Sequence, residues 1–125
     1  MSNKEVSRKG WQTFCERIQQ SHHGALISIE LTTPDGRTET LARNMPLQSI
    51  ALDETTDACN DQVVIEAGAP GERTMRHIVI EPIHLRLQNS EDSRYHRLNI
   101  SAENGVTNIF FHPGLRDDLI QDLAA

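Results

Sequence analysis

A chain of 125 residues, 37% apolar and 24% charged, is the size of one domain. Leu, Ile, Val and Phe supply 30 of those residues, which excludes the apolar-poor composition of a disordered chain. Eighteen acids against twelve bases leave a net charge of −6, and no apolar run approaches the ~18 residues that a membrane helix requires.

Residues 1–6 are expected to be disordered, and MSNKEVSRKG lacks the apolar core of a signal peptide, so a cytoplasmic protein is expected. From Ser7 onward Trp11, Phe14, Cys15 and Ile18 fall on one helical stripe, with Ser7 as N-cap and Gly24 after the polar exit Ser21-His22-His23. Such a stripe has to be buried against something else, and the residues that follow read as a sheet. In 25–33, Ala25, Ile27, Ile29 and Leu31 alternate with Leu26, Ser28, Glu30 and Thr32. Pro34-Asp35-Gly36 then turns the chain, because proline presets φ and glycine accepts φ > 0. Residues 37–44 return antiparallel, and 47–53 form a further strand after a bend at Pro46. Residues 53–60 read as an acidic loop, 62–67 as a β-branched strand, and 68–71 as a breaker. Strands over 73–80 and 83–88 flank Pro82, with Ile83, Leu85 and Leu87 facing one way and His84, Arg86 and Gln88 the other.

Asn104-Gly105 is the preferred pair for a type I′ hairpin turn, which sets Ile100 opposite Ile109 and Leu98 opposite Phe111. Phe110 then lies on the polar face with Asn99, Ser101 and Asn108, and needs a cover. The tail over 114–125 offers one, since Leu115, Leu119 and Leu123 repeat every fourth residue as in a short helix of about two turns. A helix that short is marginal by itself, so it docks on the domain or on a second copy. The expected fold is α+β and mostly β, one domain over 1–125. An N-terminal helix packs on a small antiparallel barrel or coiled sheet of about seven strands, and a short C-terminal helix follows.

These landmarks carry a resemblance. Trp11 and Phe14, the stretch 24–30, Ala42-Arg43-Asn44-Met45-Pro46-Leu47, the stretch 77–82 and Leu85-Arg86-Leu87 resemble a family of short bacterial proteins known as a domain of unknown function. The likeness spans about residues 10–111, leaves out the tail from Leu115, and implies a class without catalytic residues. The helix, the bend at Pro82 and the strand spacing are also similar to SH3-like or Sm-like barrels. At the last tight junction, however, this chain has Glu81-Pro82 where Sm-like proteins carry a basic residue and glycine.

The residue patterns announce little chemistry. His22 and His23 are adjacent and diverge on a helix end, His77 and His84 sit on different strands, and no H-E-x-x-H or C-x-x-C spacing occurs, so no metal or cofactor is expected. Asp53, Glu54, Asp57 and Asp61 lack the spacing and glycine of an EF-hand and read as a solvated loop. Cys15 and Cys59 lie 44 positions apart without an export signal, which points to two reduced thiols, with Cys15 buried and inert. No nucleophile elbow or phosphate loop is present, and Asn99-Ile100-Ser101 is a sequon placed mid-strand, so catalysis is not expected. Arg76, Arg86, Arg94 and Arg97, with His84, His96 and Tyr95, could gather on one strand face and bind an anion or a nucleic acid. The net negative charge opposes nucleic acid, and pairing of those arginines with the acids of 30–72 is the simpler outcome. The expectation is a non-enzymatic module that associates with an unknown protein or with itself, as a homodimer, through Phe110, Leu115, Leu119 and Leu123.

Overall fold

A computed structural model describes residues 3–54, 61–69, 71–89 and 94–123. Among them are one α-helix, α1 (Trp11–His22), and eight strands: β1 (Asn3–Val6), β2 (Leu26–Thr32), β3 (Thr38–Asp53), β4 (Gln62–Ala67), β5 (Met75–Ile80), β6 (His84–Asn89), β7 (Tyr95–Ala102) and β8 (Gly105–Leu115). All pairings are antiparallel, in one sheet of order β1-β6-β7-β8-β2-β3-β4-β5. The mostly-β α+β class and the N-terminal helix are as expected. The sheet, however, is open, with β1 and β5 as its two edges, rather than a closed barrel.

The sheet curls strongly. His77 Nε2 on β5 lies 2.9 Å from Thr107 Oγ1 on β8, although three strands separate them in the sheet. Much of the curl is located in β3, where 37–44 and 47–53 join into one strand of 16 residues. Its first half pairs with β2 as far as Pro46, and its second half pairs with β4 from Leu47. Pro46 costs nothing there because the strand is changing partners, and its carbonyl still accepts the Gly68 N–H at 2.9 Å. Just before it, Asn44 takes a left-handed φ of 50° in a bulge, and its N–H is held by Ser28 Oγ at 3.0 Å.

Alternation places the core correctly over most of the chain. Ile27, Ile29, Leu85, Leu87, Leu98, Ile100, Ile109 and Phe111 are fully buried beneath Trp11, Phe14 and Ile18 of α1. The helix begins later than expected. A 3-10 turn over Arg8–Gly10 precedes it, and the Ser7 side chain makes no capping bond.

Four expectations are corrected here. Residues 3–6 are ordered as β1, because Lys4 and Val6 pair with Leu87 and Leu85 and the Val6 carbonyl receives the Trp11 indole N–H at 2.9 Å. The final hairpin turns at Glu103-Asn104, with Ala102 opposite Gly105 and Leu98 opposite Ile109. Neither turn residue has positive φ, so the turn is not type I′. The slip relative to expectation is two residues, which leaves every side chain on its expected face. Ile83 precedes β6 and is 54% exposed instead of inward.

The tail is the fourth. Leu115 belongs to β8 opposite Tyr95, and only a 3-10 turn over Asp117–Ile120 follows among the described residues, not a two-turn helix. The segment folds back on its own domain. Arg17 Nη1 donates to the Leu119 and Gln121 carbonyls (3.2 and 3.0 Å), and Ser7 N–H donates to the Leu123 carbonyl at 2.7 Å. Gly10 is what admits it: a Cβ there would stand 2.9 Å from Leu123 Cδ2.

Candidate functional site

The arginines do not assemble as one face. Arg86 and Arg97 lie on the outer surface of the adjacent strands β6 and β7, with Arg94 just before β7, whereas Arg76 is on β5 at the far edge. Two of them have partners outside 30–72. His84 Nδ1 lies 3.0 Å from Glu5 Oε2 and Arg86 Nε donates to Glu5 Oε1 (3.2 Å), and these hydrogen bonds, that of His84 foremost, hold the Glu5 carboxyl below its ordinary pKa. Arg97 Nε donates to Asn108 Oδ1 at 3.3 Å, and its guanidinium stands 5.7 Å from the centre of the Phe110 ring. Phe110 is therefore half-buried under an arginine rather than under the tail. Leu115 and Leu123 are buried within this chain and Leu119 is partly so, which leaves no leucine stripe facing outward.

The remaining chemical groups are mostly structural. Asp61 is buried and ion-paired with Arg8 at 2.5 Å, not solvated, and Arg8 also lies over the Trp11 ring at 4.8 Å. Asp53 and Glu54 sit at the end of β3, while Asp57 and Cys59 lie outside the described residues. His22 is buried edge-on to Phe111 (ring centres 5.9 Å apart), and His77 is half-buried, with burial lowering its pKa. Among the described residues no three His, Cys, Asp or Glu side chains converge on a point.

Cys15 is a free, buried thiol whose pKa burial pushes up to about 12. In a Cys59→Ser background it should resist iodoacetamide at pH 8 in buffer and react at the rate of a model thiol in 8 M urea. Rapid labelling of the native protein would show that the α1 face opens in solution.

What the sequence reading missed is the outer surface of β5. Ile78 is 39% exposed and Ile80 54% exposed. The strand is also an open edge. Glu81 N–H donates to the Asp61 carbonyl (2.9 Å) in register with the β4–β5 ladder, so Met75, His77 and Val79 turn their backbone groups toward β4. Arg76, Ile78 and Ile80 turn theirs outward. Arg76 is its one fully charged side chain, and no proline, lysine or bulge interrupts 75–80. The signal was the run Ile78-Val79-Ile80, apolar on both faces, where a half-buried strand needs apolar residues on only one.

Comparison with known proteins gives a family and no activity. The model of a family of unknown function, DUF5335, matches residues 2–117. No curated protein and no solved structure matches the chain.

Proposed function

The chain belongs to this family of unknown function, and from that premise we propose that it is an association module whose working surface is the β5 edge, paired with β5 of a second copy. The observation that carries the reading is an edge strand without proline or bulge that shows two exposed isoleucines on its outer face. An antiparallel two-fold pairing centred on Val79 sets Ile78 of each copy opposite Ile80 of the other. Both residues already aim their backbone groups outward. The same register places Arg76 of one copy opposite Pro82 of the other, on the face of Ile78 and Ile80. Like charges do not meet. The long sheet so formed hides apolar surface and hydrogen-bonding edge together, the route by which strands commonly associate.

Sedimentation equilibrium of the whole chain across micromolar concentrations should return twice the monomer mass. The double variant Ile78→Lys/Ile80→Lys should sediment as a monomer with an unchanged far-UV spectrum. A wild-type protein that stays monomeric throughout that range overturns the reading.

A further inference from the structure

A second stretch of strand edge lies on the opposite side of the β3-β4-β5 ribbon, beside α1. Beyond Leu47, whose backbone still bonds to Gly24 and Ala25, β3 has left the β2 side and its ladder partner is β4. The β4 residues that serve β5 are 61, 63, 65 and 67, so 62, 64 and 66 serve β3, opposite Asp53, Ala51 and Ser49. Gln48, Ile50 and Leu52 therefore turn their backbone groups away from β4, toward the helix.

One side chain already occupies the first rungs of that edge. Gln19 Nε2 donates to the Gln48 carbonyl at 2.9 Å, and Gln19 Oε1 accepts the Ile50 N–H at 3.0 Å. A single carboxamide thus makes the two bonds that a neighbouring strand would make around Ser49. Past it, the Ile50 carbonyl and both backbone groups of Leu52 have no partner among the described residues. Beside them is a groove of about 350 Å³, within the range of ligand sites, walled by Gln12, Cys15, Glu16 and Gln19 of α1 and by Ile50 and Leu52 of β3.

Charge tells what the groove would accept. Glu16 projects from the helix wall, and Asp53 and Glu54 stand exposed at the far end of the strand. None of the three has a cationic partner among the described residues. Gln12 and Gln19 add donors and acceptors without charge, and Leu52 is a partly buried apolar floor.

We infer that the groove between α1 and the free edge of β3 takes an extended, basic segment of a partner protein, added as a short strand along Ile50–Glu54 with Gln19 fixing where it starts. Alternation sorts the side chains such a segment presents: apolar ones turn to the face of Leu52 and lysines or arginines to the opposite face, that of Asp53, while Glu16 on the helix wall adds its charge to the groove. This site is separate from β5 and does not depend on self-association.

Fluorescence anisotropy at low salt would test it with a labelled, end-blocked peptide of alternating lysine and valine. Saturable binding is expected, with the Leu52 amide among the largest shifts in the ¹⁵N spectrum. Glu16→Arg should weaken binding at least tenfold without changing the thermal midpoint. The same peptide N-methylated on alternate residues keeps its charge but cannot pair as a strand, and should not bind. The variant Ile78→Lys/Ile80→Lys should bind as the wild type does, so that failure of the β5 reading leaves this result standing. The inference is overturned if the unmodified peptide does not bind, or if N-methylation or Glu16→Arg leaves its affinity intact.

Discussion

Trp11→Ala should lower the free energy of unfolding by about 3–5 kcal/mol, the range for deleting a large buried aromatic. For a domain whose total stability is typically about 5–15 kcal/mol, that is a large share of the whole. Trp11 is fully buried in the cluster shared by α1 and the sheet, and it does more than fill space. Its indole N–H holds the Val6 carbonyl at 2.9 Å, and its ring carries the Arg8 guanidinium at 4.8 Å. Removing it therefore loosens β1 and disturbs the Arg8–Asp61 pair as well as opening a cavity. Urea titration followed by circular dichroism is the suitable measurement, since Trp11 is the one tryptophan in the chain. Trp11→Phe separates the contributions. It keeps most of the ring and loses the donor, and should cost about 1–3 kcal/mol for the stranded carbonyl and the smaller ring. An unchanged urea midpoint in Trp11→Ala would show that α1 is not sealed by this residue.

Gly105→Ala should cost about 2–5 kcal/mol, combining overpacking with a backbone conformation that only glycine adopts easily. Gly105 has φ of 142°, and a Cβ there would fall 2.4 Å from the Thr32 carbonyl oxygen on β2. That oxygen belongs to backbone and cannot swing aside as a side chain could. Gly36 is the internal control. It too has positive φ, 90°, but a Cβ there meets nothing within 4 Å, so Gly36→Ala should cost only about 1–2 kcal/mol. Thermal unfolding of the two variants side by side checks the difference. Equal midpoints would mean that the β7–β8 turn does not press on β2 as described.

The parts of the fold that were legible are those in which side-chain period alone decides. Ile27 with Ile29, Leu85 with Leu87, and Leu98 with Ile100 each alternate cleanly and each face the core. The misreadings have physical causes. Asn3-Lys4-Glu5-Val6 has one apolar residue, so nothing local marks it as a strand, and its order comes from pairing with a segment some eighty positions away. Asn104-Gly105 is strong turn chemistry, but the close approach to Thr32 uses the glycine as the first residue of β8 instead. Leu115, Leu119 and Leu123 do carry helical spacing, yet Leu115 is drawn into the ladder with Tyr95 before a helix can start.

The candidate surfaces were less legible still, because both are properties of backbone. The arginines and the leucine stripe could be named from residue type, and the structure spends them on Glu5, Asn108, Phe110 and the tail's own docking. An unpaired rung beside Leu52 leaves no trace in composition. Gln19 looks like any polar residue on the outer side of a helix until its amide is seen spanning Gln48 and Ile50.

The docking of Leu123 against Gly10 and Ser7 also bears on how the polypeptide emerges from a ribosome. The helix is made before β3, the strand it rests on, which is complete only some thirty residues later, and Leu123 follows after all eight strands. Until Leu123 has been made, Trp11, Phe14 and Ile18 form a greasy face without its full shelter. Nascent chains arrested before Leu115 should accordingly be the ones that chaperones hold.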